Sequence, residues 1–282
     1  MPQTIPDHDG PRLYGLMIVK NEDDIVEQSM LHALQYCAKI VVMDNMSSDA
    51  TWATVGMLAA RHPGRVIAHC RLDRTFDDSL RAIAYNAFNA ELSRHDWWLR
   101  LDADEFLNED PRPFLAAANA EQADFIRANQ MQFALTDADV AAIERGEDRR
   151  ALPIEQRRPY YRVTWREFRF FRNDPAVIWD VAQNRQFPQN LTKGRICSRA
   201  IYNRHYAQRD IEQLKARIAI RHGSGAFAHV ADADWRSYVL PAATHHFWSP
   251  GSRVAFRPLT DFWIPRLLLE LRQRLGLAAR PA

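Results

Sequence analysis

Trp97-Trp98-Leu99-Arg100-Leu101-Asp102-Ala103-Asp104-Glu105-Phe106 is an apolar run that ends on two carboxylates one residue apart, with a third acid behind them. The run predicts a strand heading into a core. Side chains on a strand alternate faces, so Asp102 and Asp104 are expected on one side and Glu105 on the other. Two carboxylates aimed together repel each other unless a cation lies between them. Oxygen donors of this kind suit Mg²⁺ or Mn²⁺. Taken alone, the acids read first as a solvated turn.

The residues upstream bear on that choice. Leu13 to Val19 is a short apolar run that stops at Lys20-Asn21-Glu22, and a helix follows with Val26, Met30, Ala33, Leu34 and Cys37 on its apolar face. Ile40 to Met43 predicts a second buried strand, running into Asp44-Asn45-Met46-Ser47-Ser48-Asp49-Ala50-Thr51. Ser47, Ser48 and Asp49 are N-cap candidates for the next helix, which carries Trp52, Val55, Leu58 and Ala59 and closes at Pro63-Gly64. Val66 to Cys70 predicts a third strand, and a helix from Phe76 with Leu80, Ile83, Ala84, Ala87 and Phe88 leads into the acidic stretch. Strands alternating with helices predict an α/β fold, a Rossmann-like and mostly parallel sheet flanked by helices. In such sheets ligands bind beyond the carboxyl ends of the strands. Asn21, Asp44 and Asp102 all fall at those ends.

Composition narrows the class. The chain has 282 residues, a formal charge of +2, 47% hydrophobic and 26% charged residues, as in a globular protein with a sizeable core. The near-balanced charge, without a dense basic block, argues against a nucleic-acid binder. Cys37, Cys70 and Cys197 are odd in number and widely spaced, which suits a reducing compartment and offers no zinc pattern. Residues 1–12 are polar with two prolines and read as a flexible N-terminus, not a signal peptide. No run of about 18 apolar residues predicts a membrane span. A cytoplasmic protein is expected.

The second half is less regular. Pro111 and Pro113 lead into an alanine-rich helix, Phe125 to Leu135 suggests a strand, and Thr136 to Pro159 is expected to be a loop or mobile insertion. Tyr161 to Arg172 alternates like a strand whose two faces both mix apolar and basic residues, as at the border of a polar cleft. Asn203-Arg204-His205-Tyr206 precedes a helix with Asp210 and Gln213 at capping-box spacing, ended by Gly223. His245 and His246 stand beside Phe247 and Trp248, where core-edge packing competes with a ligand role. From Asp261 the tail is an amphipathic helix, expected to pack on the core or to make a peripheral membrane or partner contact. The domain expectation is one catalytic domain over 13–200 with a helical C-terminal extension over 201–282 packed on it.

Val19-Lys20-Asn21-Glu22, Asp44-Asn45-Met46-Ser47-Ser48-Asp49-Ala50-Thr51 and Asp102-Ala103-Asp104-Glu105-Phe106 together resemble family 2 glycosyltransferases of the GT-A fold. The similarity is to the bacterial branch that pairs K-N-E and D-A-D-E-F with a later H-Y and a basic helix. It covers residues 13–107 and returns at 203–217. The resemblance implies an inverting transferase that uses a nucleotide-sugar donor, Mn²⁺ or Mg²⁺, and a glycan, lipid-linked or other hydroxyl acceptor. By position it implies donor contacts at Asn21, Asp44 and Asn45, with Asp44 toward the base and Asn45 standing where many relatives carry Asp. It also implies Asp102 toward the ribose and metal-bound phosphates, Asp104 as the main metal ligand, and His205 returning to the metal or diphosphate. Arg81 reads as a diphosphate contact or as an ion-pair partner of Asp77 or Asp78. Asn86 shares its helix, where relatives place polar residues facing the donor.

An acceptor hydroxyl must lose its proton to a carboxylate. Glu167 and Asp180 are the candidate bases, each with an arginine salt bridge as its other reading. A dehalogenase-like phosphatase also uses D-x-D but on its first strand, whereas three βα steps come first here. A sugar nucleotidyltransferase opens on a glycine-rich phosphate loop that is missing after Gly15. A GT-A-like module that binds a nucleotide sugar or a partner without turnover stays open.

Overall fold

The computed structural model describes residues 10–147, 149–191, 194–223, 234–257, 261, 264 and 267. In chain order its strands are β1 (Leu13–Val19), β2 (Lys39–Asp44), β3 (Val66–Arg71), β4 (Trp97–Leu101), β5 (Glu105–Leu107), β6 (Phe125–Phe133), β7 (Tyr160–Arg172), β8 (Ile196–His205) and β9 (His246–Phe247). Its helices are α1 (Val26–Ala33), α2 (Thr51–Arg61), α3 (Arg81–Phe88), α4 (Arg112–Ala120), α5 (Asp137–Glu144), α6 (Ile154–Arg157) and α7 (Ile211–Gly223).

The fold is α/β. Strand order is β3-β2-β1-β4-β7-β6-β8-β5, with β9 paired to β7. β1 pairs parallel with β2 and β4, β2 pairs parallel with β3, and β7 joins β4 antiparallel. All seven residues of β1 and all five of β4 are buried, as strands covered on both faces must be. Register places Val19 beside Asp44 and Met17 beside Leu101, so the chain leaves β1, β2 and β4 at one end of the sheet.

The chain divides into two compact units, Met1–Asn129 with Arg166–Asn203, and Gln130–Trp165 with Arg204–Ala282. The boundary falls inside β6, β7 and β8. The first unit is cored by Tyr14, Leu16, Val41, Met43, Tyr85, Trp98, Phe171 and Trp179. Trp97 and Trp98 are fully buried and donate from Nε1 to Asn119 Oδ1 (3.0 Å) and Asn173 Oδ1 (2.8 Å). The second unit has a smaller core of Leu135, Leu214, Ile218 and Tyr238.

Three local expectations change, and a fourth is met. Thr136 to Pro159 is not a structureless loop: it holds α5 and α6, and α5 opens on a full capping box between Thr136 and Asp139. α2 is entered at Ala50 without a side-chain cap; the serines upstream bond elsewhere, while Asp49 Oδ1 takes the Thr51 N–H at 2.9 Å. Asn203 to His205 ends β8, and the expected helix follows as α7, with the Gln213 N–H on Asp210 Oδ1 at 2.8 Å and Gly223 as its last residue. Strand pairing stops at Leu101, and Glu105 N–H bonds Asp102 O at 3.1 Å, so Asp102 to Asp104 is a turn. The tail helix expected from Asp261 lies, apart from three residues, outside the described residues. Among those described, no helix is long and apolar enough to cross a membrane.

Candidate functional site

The first unit gathers charge at the carboxyl ends of its parallel strands. Beyond β1, Asn21 takes a left-handed φ of 56°, which asparagine tolerates better than most residues. That turn aims its N–H at Ser47 Oγ (3.0 Å) and its Oδ1 at the Ser48 N–H (2.8 Å). Beyond β2, the fully buried Asp44 accepts from Ser47 N–H at 3.1 Å and from Arg71 Nε at 2.7 Å, while Arg71 Nη2 donates to Ser47 O at 2.7 Å. Asn45 is buried and its N–H bonds Val19 O at 2.8 Å. Asn21, Asp44 and Asn45 therefore meet in one ordered loop pair, and the Asp44 carboxylate is engaged by the fold itself.

The acidic stretch past β4 is surrounded by arginines from three elements. Arg81, at the start of α3, is 1% exposed, so its ion pair is a buried one. Its Nη1 donates to Asp78 Oδ1 and its Nη2 to Asp102 Oδ1, both at 2.6 Å. Arg169 on β7 donates from Nη1 to Asp102 Oδ2 at 2.8 Å, and from Nη2 to Glu167 at 3.0 Å and to Glu105. Arg100, inside β4, reaches Asp78 Oδ1 at 3.0 Å. Each oxygen of Asp102 thus faces a guanidinium. Glu105 does not turn away from Asp102: both hold Arg169, because the turn at 102–104 resets the alternation before β5 begins.

Burial would push the Asp102 carboxyl up, but Arg169, Arg81 and Arg100 together hold it well below the usual carboxylate range, against the charge of nearby Asp104. Burial lowers the Arg100 guanidinium, and Arg81 and Arg169 add to that through like-charge repulsion. Arg169 is raised despite its burial by Glu105, Asp102 and Glu167. The Nε atoms of Arg81, Arg100 and Arg169 are buried without a hydrogen-bond partner among the described residues. The cluster keeps donor capacity that its own carboxylates do not use.

The other expected residues are engaged as follows. Asp104 is 6% exposed, in the turn beside Asp102. Glu167 joins the cluster through Arg169. Asp180 is exposed and its Oδ1 takes the Ala182 N–H at 2.9 Å, capping a short 3₁₀ turn. Asn86 clamps the Trp179 backbone with two bonds of 2.8 Å. His205, in the second unit, packs edge-on to Trp165 with ring centroids 5.9 Å apart. His246 pairs with Asp261 at 2.7 Å. Among the described residues no three His, Cys, Asp or Glu side chains group as a metal cage.

The donor chemistry at the turn still fits a hard divalent ion. Mg²⁺ and Mn²⁺ keep several waters and bind through one or two carboxylates plus substrate phosphates, and Asp104 offers one such carboxylate. Arg100 and Arg169 were the functional candidates that sequence reasoning passed over. The signal available was the alternation of Tyr161 to Arg172, which puts Glu167 and Arg169 on one face.

No protein-family model matches the chain, and no curated protein matches it. Among solved structures it is similar to the mannosyltransferase PcManGT from Pyrobaculum calidifontis, in complex with GDP-Man and Mn²⁺, at 18% identity over 45% of this chain and 36% of that one, with a TM-score of 0.32. It is also similar to GalNAc-T7 with UDP, GalNAc and Mn²⁺, at 13% identity over 77% of this chain and 48% of that one, with a TM-score of 0.41. The chain thus spans less than half the length of either protein.

Proposed function

We propose that this chain is a metal-dependent, inverting glycosyltransferase that moves a sugar from a nucleotide-sugar donor to a hydroxyl acceptor, glycan or lipid-linked. The observation that carries this reading is the pairing of Arg81 and Arg169 with Asp102 at the carboxyl end of a parallel strand, with Arg100 joined to Arg81 through Asp78. A nucleoside diphosphate leaving group builds negative charge, and preorganised guanidiniums stabilise charge of that kind. The motifs at Asn21, Asp44 and Asp102 support the choice of donor.

Asp104 is the carboxylate assigned to the cation. Asp102, with an arginine on each oxygen, holds Arg81 and Arg169 in place for the diphosphate and reaches the ribose with what remains exposed. When bound, the divalent ion neutralises charge on the leaving diphosphate. Asn21, Asp44 and Asn45 shape the loop pair that receives the nucleotide. Glu167 is preferred over Asp180 as the base: its contact with Arg169 is a long 3.0 Å and shared with two other carboxylates, whereas Asp180 caps a turn. An amphipathic tail resting on a membrane surface would suit a lipid-linked acceptor.

The test is a thermal-shift screen of nucleotide sugars with and without Mn²⁺, followed by a transfer assay with the best donor. A matching donor at about 100 times its Kd stabilises the fold by about 2.7 kcal/mol. The Mn²⁺-dependent part of the shift should vanish in Asp104→Ala. Glu167→Gln should keep the shift and lower kcat by about 10²-fold or more. Donor binding that ignores Mn²⁺ and is unchanged in Asp104→Ala removes the metal site. Binding without transfer for any acceptor favours a non-catalytic module.

A further inference from the structure

Asp78 stands at the entry to α3, half-buried, and its two oxygens serve different neighbours. Oδ1 accepts from Arg81 Nη1 at 2.6 Å and from Arg100 Nη2 at 3.0 Å. Oδ2 accepts from Gln186 Nε2 at 3.0 Å. Both arginines are buried, and each is a like charge to the other. One carboxylate oxygen shared between them holds the two guanidiniums side by side. Asp78 is also the ion-pair partner of Arg100, whose Nη1 makes a longer bond of 3.3 Å to the Phe168 carbonyl.

Gln186 belongs to a segment with few ties to its surroundings. Ala182 to Gln186 are exposed, and Asn184 takes a left-handed φ of 42°. Among the described residues, no backbone–backbone hydrogen bond joins residues 181–187 to another element. Side-chain bonds fasten the segment to the entry of α3 instead: Ser79 Oγ donates to Val181 O at 2.7 Å, and Gln186 donates to Asp78. Its far end is anchored by Phe187, which packs on Phe125 and Phe171 with ring centroids 5.0 and 5.6 Å apart. Arg100 Cζ lies 5.3 Å from the centroid of the Phe187 ring. The segment thus meets the guanidinium cluster at Asp78 and at Arg100, all within the first unit.

We infer that Asp78 is a positioning residue of the donor site: it holds Arg81 and Arg100 as a pair and, through Gln186, couples their occupation by a diphosphate to the attachment of residues 181–187. The inference rests on the transferase reading, which brings a nucleoside diphosphate to these arginines. A diphosphate that restrains the guanidiniums restrains the carboxylate they share, and with it the bond to Gln186. Such coupling is reciprocal: the factor by which the diphosphate strengthens the attachment is the factor by which the attachment strengthens diphosphate binding. A nucleoside, which has no phosphate to offer the arginines, carries no coupling of this kind.

Amide exchange of the full chain tests it, with UDP, GDP, ADP or CDP in the presence of Mn²⁺ and with the matching nucleosides. The diphosphate that binds should slow exchange across residues 181–187 about fivefold or more, and its nucleoside should not. Gln186→Ala should remove that protection and weaken diphosphate affinity by the same factor in calorimetry, with nucleoside affinity unchanged. Gln186→Glu sets a second carboxylate against Asp78 and should weaken the diphosphate further. Asp78→Ala removes every bond to the shared carboxylate and should abolish the protection. Because that change takes the ion-pair partner from buried Arg100 and risks the fold, the exposed Gln186 variants are the ones that decide. A diphosphate that slows exchange at residues 43–48 and leaves 181–187 as they were overturns the coupling alone, as do a nucleoside that protects 181–187 equally and folded Gln186 variants with parental protection and affinity. If no diphosphate slows exchange in either stretch, the transferase reading falls and the coupling with it.

Discussion

Arg169 touches Asp102, Glu105 and Glu167 together, and both it and Glu105 are buried. Removing a buried cation takes a partner from each of its anions, which is far more costly than never having built the pair. Arg169→Ala should therefore lower the unfolding free energy by about 3–5 kcal/mol. Arg169→Lys should recover only part, because an ammonium cannot fork between carboxylates. Adding Glu105→Gln to Arg169→Ala should regain stability by removing one buried charge that Arg169 balanced, a coupling that a double-mutant cycle in urea measures. A loss below about 1 kcal/mol in Arg169→Ala would mean the network holds nothing. At this scale the sequence was legible in part. The D-A-D acids, Arg81 and Asp78 were all in view. The alternation rule that separated Glu105 from Asp102 failed because it assumes a continuous strand, whereas the acids form the turn that Asp102-Ala103-Asp104 also allows. In a chain this rich in arginine, which guanidinium meets which carboxylate depends on strand pairing, and β4 meets β7 across more than sixty residues of sequence, as the Trp98–Phe171 register shows.

Among the elements, β1 and β2 follow from apolar runs alone, because a parallel strand buried on both faces leaves a near-continuous hydrophobic signature, whereas β3 is only half-buried and β4 is interrupted by Arg100. α5 was missed although its start is written in the sequence. Thr136 and Asp139 stand at capping-box spacing, and the helix they open carries Val140 and Ala142 among acids, a weak apolar stripe that reads as loop. Here the cap defines the element more than its buried face does. Thr136 is fully buried, its Oγ1 donates to Asp139 Oδ2 at 2.7 Å, and Asp139 in turn borders a cavity of the second unit. Thr136→Ala should destabilise by about 1–2 kcal/mol in chemical denaturation, whereas Thr136→Ser should be close to neutral. Amide exchange in α5 should quicken in the alanine variant more than in β1 or β4. Uniform quickening would mean that the box is tied to global stability and does not act locally.

For the molecule as a whole, the core of the first unit sets the alkaline limit. Burial pushes the Tyr14 hydroxyl up to about 12, with Glu91 adding to it through a hydrogen bond. Burial does the same to Tyr85, also to about 12, where the hydroxyl donates to Asp174 O at 3.0 Å. An unfolded tyrosine ionises near pH 10, so above that value the unfolded chain releases protons that the folded chain keeps. Stability contributed by the two neutral hydroxyls is complete below about pH 10 and is lost as the pH rises toward 12. For the fully buried Tyr85, the two-unit displacement corresponds to at most about 3 kcal/mol. Asp102 and Asp96 have the opposite sign. Their carboxyls are depressed in the fold, so their contribution is present above the ordinary carboxylate range and disappears in acid. Urea unfolding across pH should therefore give a plateau with an acid shoulder from the carboxylates and an alkaline fall from the tyrosines. Tyr85→Phe separates the two limbs. It gives up the bond to Asp174 and costs about 1 kcal/mol at neutral pH, leaves the acid limb in place, and makes the alkaline fall shallower by the share Tyr85 supplied. An alkaline slope as steep in Tyr85→Phe as in the parent would show that the fold yields at high pH through some other group, and that the ring cluster of Tyr85, Trp98, Phe171 and Trp179 holds without reference to the hydroxyl at its edge.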